Sequence, residues 1–501
     1  MTSSSSKTSD SVKRKLSDGC EKSNCRYGKS CYRTNPTHFE EFNHPLETDA
    51  KRTKYVFDKD KVSPKYFLTK VQGIDDCFNQ ETVAIGIEDI LKDNHRELVE
   101  SVQFSYIFDL TWLLKKYPAS ARSNPLLLVH GFTGSEKTEF EGEVMNYENI
   151  DLVQARLPIP YGTHHTKMML LLYTNGLRIV IHTANLVEND WFQKTQGVWI
   201  SPLFQKCPPG YCQEDDTFKL DLIEYLRTYR SSKLGKWITN IEGFDLTTAN
   251  VHLIASVPGR YSGSSINKWG HLKLRKVLKD HGPRTSDVNY QWPVIGQFSS
   301  IGSLGAESSS WLTSEWLDSL STCKDRMSTG RSQLKLIFPT GNNVRNSLEG
   351  YSAGGSLPYS VQTAMKQRYL KEYLNQWTSN TVGRTLAMPH VKSYTRVSPD
   401  CASAAWFLLT SANLSKAAWG AYEKNQSQFM IRSYEIGVLL TPKQKDESSA
   451  LFSLDAKGGA CEFLQLPFDV PLTPYRDGVD KPWVWDIKYT TEDSHGRLWI
   501  P

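Results

Sequence analysis

Two short motifs carry the residue types from which a phosphoryl-transfer site can be assembled. His165-Thr166-Lys167 recurs 225 residues later as His390-Val391-Lys392, and Thr183-Ala184-Asn185-Leu186 recurs 228 residues later as Ser411-Ala412-Asn413-Leu414. Two elements repeated in the same order at nearly one offset point to two related halves, meeting near residue 250, each giving one His, one Lys and one Asn. Brought together about a pseudo-twofold axis, two Lys and two Asn offer cations and amide donors to the non-bridging oxygens of a phosphate. Two imidazoles, with an ordinary pKa of about 6.5, suit nucleophilic attack and proton transfer near neutral pH. The chemistry that follows is a two-step displacement. One His attacks phosphorus and forms a covalent phosphohistidine; the other, protonated, donates to the leaving oxygen and then takes a proton from water. The two ammonium groups supply positive charge, so no catalytic cofactor is expected.

These residues need a strand and a returning strand to position them. Side chains at i and i+2 share a face, which puts His165 and Lys167 together. Met168–Tyr173 and Leu177–His182 flank Thr174-Asn175-Gly176 and read as a hairpin with an Asn-Gly turn. A three-residue loop pairs Tyr173 with Leu177 and sets Asn185 across from His165. A two-residue loop shifts the register and turns Asn185 away unless a bulge restores it. In the second half, Met388–Tyr394 and Ala404–Thr410 flank a loop containing Ser398-Pro399-Asp400, and the same closure returns Asn413 toward His390. Elsewhere Leu126–His130 reads as a buried strand and Phe218–Arg230 as a helix, so the body is expected to be mixed α/β.

The composition supports a folded body. With 39% hydrophobic residues, 14 Trp, 23 Tyr and 20 Phe among 501 residues, general disorder is excluded. The net charge of +5 says little about partners. Met168–Tyr173 falls far short of the ~20 apolar residues that span a bilayer, and the Ser-rich start has no apolar signal core, so a soluble intracellular protein without a membrane partner is expected. Residues 1–19 read as a flexible tail whose Lys13-Arg14-Lys15 is either a solvated charge run or a nuclear import signal, and residues 46–62 read as a charged linker. Between them, residues 20–45 hold a compact Cys/His cluster, and the two halves occupy 63–250 and 251–501.

Within that cluster Cys25, Cys31, His38 and His44 form a Cys2His2 set within twenty residues. Tetrahedral zinc takes such a set, and so small a unit needs the metal to fold. The spacing is not that of the DNA-reading ββα finger. With Tyr-Gly between the cysteines and Tyr-Arg after the second, the segment resembles the poly(ADP-ribose)-binding zinc finger. That resemblance implies that Tyr27, Tyr32 and Arg33 contact adenine and phosphate.

The body resembles the tyrosyl-DNA phosphodiesterases that act on 3′ ends. Carrying the resemblance are Tyr161 to Tyr173, Gly176 to Leu186, Asp190-Trp191, Gln193 to Gly197, Met388 to Lys392 and Thr410 to Gly420. It extends from about Tyr66 to Pro501 and includes Gln297 to Ser303, Leu348 to Tyr351 and Gly354 to Tyr359. The fold it implies is that of the phospholipase D superfamily: two pseudo-symmetric α-β-α halves sharing one active site. The wider superfamily carries an Asp five residues after the Lys; here those positions are Leu172 and Val397. This departure marks the tyrosyl-DNA branch and argues against a lipid substrate.

By the same resemblance His165 is the nucleophile, His390 the acid and then base, and Gln196 and Glu435 support the histidines. The substrate is single-stranded or nicked DNA whose 3′ end is blocked by a topoisomerase I-derived peptide or another adduct, and the product is a 3′-phosphate. Ser300, Ser356, Ser415 and Lys416 become candidates for backbone contacts and Tyr161 for base stacking. Trp483, Trp485 and Trp499 are expected in the core. A monomeric nuclear repair enzyme, recruited through its finger, is the leading expectation. A lipid phosphodiesterase and a non-catalytic poly(ADP-ribose)-binding scaffold are the alternatives.

Overall fold

The computed structural model describes residues 66–501 apart from 81, 93–95, 212–213, 215, 326–331, 443–450 and 457–460, together with the backbone of 23–24 and 42–43. The chain divides into two compact units, residues 1–57 and 58–501. In the first, Ser23–Asn24 pairs in parallel with Phe42–Asn43. The expected zinc ligands Cys25, Cys31, His38 and His44, the expected contacts Tyr27, Tyr32 and Arg33, the tail and the linker lie outside the described residues.

Two sheets form the frame of the second unit. Strands β1 (Phe67–Thr69), β2 (Ala84–Ile85), β3 (Leu98–Phe104), β4 (Leu126–His130), β5 (Ile150–Gln154), β6 (Met168–Tyr173), β7 (Gly176–His182) and β8 (Gly197–Ile200) lie in the order β2-β1-β8-β7-β6-β3-β4-β5. Strands β9 (His252–Ser256), β10 (Val294–Gln297), β11 (Leu334–Ile337), β12 (Leu374–Asn375), β13 (Ser393–Val397), β14 (Ser403–Thr410) and β15 (Glu435–Leu440) lie in the order β9-β15-β14-β13-β10-β11-β12. Followed from β8 and from β15, both sheets make three antiparallel pairings and then two parallel ones. The antiparallel partners β1 and β9 on their other sides extend the match. The repeated motifs therefore sit on repeated topology.

Strand chemistry explains the frame. All five residues of Leu126–His130 are buried, as a continuous apolar run in a parallel pairing should be. The β6–β7 hairpin turns through Thr174–Asn175, so Tyr173 faces Gly176 and Met168 faces Ile181. The three-residue alternative is not adopted. The second hairpin keeps the equivalent register, with Ser393 facing Leu409. Its first strand begins at Ser393, not at Met388. The backbone of Met388, His390 and Val391 is instead bonded across to Thr195. The expected helix Phe218–Arg230 is Thr217–Arg227; Asp216 caps its start, and Arg230 takes a left-handed φ of 51° just beyond its end.

One hydrophobic core runs through both sheets. They approach along β7 and β8 on one side and β14 and β15 on the other. Gly197 permits this closeness, since a Cβ there would lie 2.5 Å from Leu409 Cδ1. No described helix is long and apolar enough to cross a membrane.

Candidate active site

The two His-x-Lys segments lead into β6 and β13, where strand alternation sorts their side chains. His164 and Thr166 point inward. His164 Nε2 lies 3.0 Å from the Tyr229 hydroxyl, Thr166 hydrogen-bonds the Tyr225 hydroxyl, and the two tyrosine hydroxyls meet at 3.1 Å. His165 and Lys167 point the other way, toward the second half.

Each segment is then clasped by the opposite half. The backbone N–H of His165 donates to Tyr434 (3.0 Å) and that of His390 to Thr195 (2.9 Å). One residue further on, side chains repeat the crossing. His165 Nδ1 lies 2.8 Å from Glu435 Oε2, and His390 Nδ1 lies 3.0 Å from Gln196 Nε2 and 3.1 Å from its Oε1. Gln196 and Glu435 are topological equivalents, each two residues before the residue that pairs with His182 or Thr410. Behind them stand equivalent hydroxyls: Thr183 donates to Gln196 Oε1 at 2.8 Å and Ser411 to Glu435 Oε2 at 2.5 Å. Lys167 and Lys392 each donate to the carbonyl of the histidine two residues before, at 3.1 and 2.6 Å.

This arrangement fixes a proton. A carboxylate only accepts, so His165 carries its proton on Nδ1 and keeps a lone pair on Nε2. Burial pulls the His165 pKa down, opposed by Glu435, while Lys167 adds to the fall. His390 is driven well below its ordinary value by burial, then by Lys392, Lys167, His165 and Lys194. Burial brings Lys167 to about 8 against the pull of Glu435 and Asp190. Lys392 is held well below its ordinary value by burial and then by Lys167, with Asp190 and Glu435 opposing.

The two asparagines are held differently. Asn413 Oδ1 accepts from Ser299 N–H (3.1 Å), Ser299 Oγ (3.2 Å) and Ser300 N–H (3.0 Å), which turns its amide NH2 outward as a donor. Asn185 is buried, but not by hairpin register. The pairing of β6 with β7 ends at Met168–Ile181, with His182 N–H still reaching the Lys167 carbonyl, and beyond the strand Asn185 N–H donates to Asp190 Oδ2 at 2.7 Å. Its side-chain Oδ1 is buried with no hydrogen-bond partner among the described residues. Asp190 Oδ2 also lies 3.5 Å from His390 Nδ1. Asp190 belongs to the Asp190-Trp191 pair that carries the family resemblance, but no repeat marks it as a site residue.

The other expected contacts form a looser rim. Tyr161 is 92% exposed and takes a left-handed φ of 62°, a conformation that disfavours side chains. Arg432 Nη1 ties the neighbouring Pro160 carbonyl at 2.8 Å. Ser300 donates its hydroxyl to Pro358, and Ser356 ends the 3-10 helix Gly350–Ser356. Ser415 caps Lys416–Trp419 through Ala418 N–H, and half-buried Lys416 has its pKa lowered by burial. Tyr106, which no motif marks, lies edge-on to His165 at 5.7 Å with Lys167 over its ring. Trp483 is fully buried against Tyr489, whereas Trp485 is 42% exposed, so the core expectation holds for the first and not the second.

Two equivalent halves, each sending a His and a Lys to one clasped site, define a phosphodiesterase of the phospholipase D type. A family profile described as tyrosyl-DNA phosphodiesterase matches residues 65–476, and one described as PBZ domain matches residues 22–47. The chain belongs to the tyrosyl-DNA phosphodiesterase family, hydrolases of phosphodiester bonds in DNA repair. It is 39% identical to tyrosyl-DNA phosphodiesterase 1 of Drosophila melanogaster over 81% of this chain and 71% of that one. It is 35% identical to tyrosyl-DNA phosphodiesterase 1 of Arabidopsis thaliana over 88% and 77%. The yeast tyrosyl-DNA phosphodiesterase crystal structure shares the fold, with a TM-score of 0.61 at 21% identity over 84% of this chain and 98% of that one.

Proposed function

We propose that the protein removes a tyrosyl peptide, left by trapped topoisomerase I, or another adduct from a DNA 3′ end through a covalent phosphohistidine. The observation that carries this reading is the crossed clasp, which leaves the His165 Nε2 lone pair as the nucleophile. Nε2 bonds to phosphorus as the phosphorus–phenolate bond breaks, and the phenolate oxygen takes a proton from His390. Water then bonds to phosphorus, gives its proton to His390 and releases His165, leaving a 3′-phosphate. A phenol of pKa about 10 is an easier leaving group than an alkoxide and still benefits from the proton. Lys167, Lys392, Asn185 and Asn413 hold the non-bridging oxygens, and Gln196 and Glu435 set the rings. Single-stranded or nicked DNA follows the rim of Tyr161, Ser300, Ser356, Ser415 and Lys416. Catalysis uses no metal in this reading, because the lysine pair supplies the charge.

The N-terminal module extends the proposal. Two thiolates and two imidazoles suit tetrahedral zinc, and Cys25, Cys31, His38 and His44 would hold it. The paired segments Ser23–Asn24 and Phe42–Asn43 end one residue before Cys25 and His44 in the sequence, which supports that ligand set. Structural zinc would fold the module so that Tyr27, Tyr32 and Arg33 meet poly(ADP-ribose), bringing a nuclear monomer to marked breaks. Residues 1–19 are its tail, 20–45 the finger, 46–62 the linker, and 63–250 and 251–501 the halves. The test is cleavage of a 3′-phosphotyrosyl oligonucleotide in excess chelator. Wild type should yield a 3′-phosphate, His165→Ala no product, and His390→Ala a trapped protein–DNA adduct. No product from folded wild-type protein would overturn the reading.

A further inference from the structure

The halves are so alike that departures from their symmetry carry information. One departure is Glu435 standing where the other half has Gln196. The second is Asp190. It lies five residues after Asn185, and the place five residues after Asn413 is Ala418. Each is followed by a fully buried tryptophan, Trp191 or Trp419, so the short helices Glu188–Phe192 and Lys416–Trp419 are counterparts. Only one of them delivers a carboxylate.

That carboxylate is buried and faces the ring nitrogen that Gln196 holds. Its Oδ2 accepts Asn185 N–H at 2.7 Å and lies 3.5 Å from His390 Nδ1. The charges around His390 are otherwise cationic: Lys392, Lys167, His165 when protonated, and Lys194, itself paired with Glu349 at 2.9 Å. Glu435 is engaged with His165 and Ser411. Gln196 is neutral and can orient the ring, but it adds no net charge.

We propose that Asp190 is a positioning residue that lets His390 carry the proton it donates. Its carboxylate stabilises the imidazolium while Gln196 Oε1 accepts from Nδ1–H, so the second proton stands on Nε2 toward the leaving oxygen. Leaving-group departure takes that Nε2 proton; the neutral ring then recovers one from the attacking water. This rests on the reading of His165 and His390 given above. The carboxylate that the superfamily places five residues after the lysine, absent here at Leu172 and Val397, thus has a substitute from a different element.

Two leaving groups separate the role from a structural one. Departure of 4-nitrophenolate needs little protonation, whereas tyrosine needs more. Asp190→Asn keeps an oxygen acceptor for Asn185 N–H and removes the charge. Single-turnover cleavage of a 3′-phosphotyrosyl oligonucleotide should fall at least about tenfold at neutral pH, with the alkaline limb of its rate profile about one unit lower. The 4-nitrophenolate burst from thymidine 3′-(4-nitrophenyl phosphate) should fall far less. Adding Gln196→Glu to Asp190→Asn, which restores a carboxylate at the same nitrogen, should return the limb toward higher pH. Equal fractional losses on both substrates, or an unmoved limb, would overturn the role of Asp190. If Asp190→Asn does not melt cooperatively, Asp190→Ser decides by the same two readouts, because its hydroxyl oxygen can still accept from Asn185 N–H and carries no charge. Failure of wild type on both substrates would instead overturn the proposed function.

Discussion

Glu435→Gln tests the nucleophile's side of the site, because it preserves shape and changes only proton placement. Glu435 Oε2 accepts from both His165 Nδ1 and Ser411 Oγ, at 2.8 and 2.5 Å. An amide offers one acceptor and one donor. If its NH2 turns to His165, Nδ1 must accept, the proton moves to Nε2 and the nucleophilic lone pair is gone. If its oxygen stays with His165, the tautomer survives but the countercharge is lost. Two unit charges 2.8 Å apart attract by about 6 kcal/mol at an effective dielectric of about 20. Roughly half of a unit charge on His165 at the transition state makes the loss about 3 kcal/mol, a rate reduction of about 10²-fold. The assay is single-turnover cleavage of the 3′-phosphotyrosyl oligonucleotide across pH, beside Ser411→Ala, which keeps the carboxylate and should lose less than about tenfold. A folded Glu435→Gln protein within about threefold of wild type would refute the electrostatic reasoning.

Two further expectations concern stability. Gly197→Val drives side-chain atoms into Leu409 and Val391, so unfolding in urea should show a loss of at least about 1–3 kcal/mol, and cleavage should fall as the adjacent Gln196 is displaced; an unchanged midpoint would refute the close approach. Burial holds His164 and His182 at about 3, below their unfolded value of about 6.5, so the native state binds fewer protons. Their stabilising effect is complete above about pH 6.5 and is lost as pH falls toward about 3, by up to about 1.4 kcal/mol per unit for each group. Thermal melts should drop steadily from pH 6.5 to 5, and a flat midpoint would count against the burial of these rings.

The sequence made the duplication legible because chemistry repeated at nearly one offset, and the equivalent strand orders follow from it. Asn413 could be found from its motif, but its orientation depends on the backbone of Ser299 and Ser300, more than a hundred residues away. The path of Asn185 was hidden for a related reason. Alternation applies only while the strand lasts, and β7 ends at His182, beyond which Asp190 takes the Asn185 N–H. The start of β13 was misplaced because apolar content at Met388–Val391 looks the same whether the backbone bonds along its own sheet or across to Thr195. Asp190 stands in a segment that carries the family resemblance, but nothing marked it for the site, since a lone acidic residue before a tryptophan is an ordinary helix start.

A symmetric site would make two identical histidines, and the displacement needs two different ones. The fold solves this without altering its frame. Glu and Gln are close in shape, so Glu435 and Gln196 fill equivalent places behind equivalent hydroxyls, yet one can only accept a proton bond while the other can also donate. Crossing the clasp adds a second consequence. Each ring is oriented by the half to which it does not belong, so neither half alone completes a proton donor or a nucleophile. Separating the halves by about an ångström would therefore lose both tautomers at once, which makes the packing at Gly197 as much a part of the chemistry as the histidines.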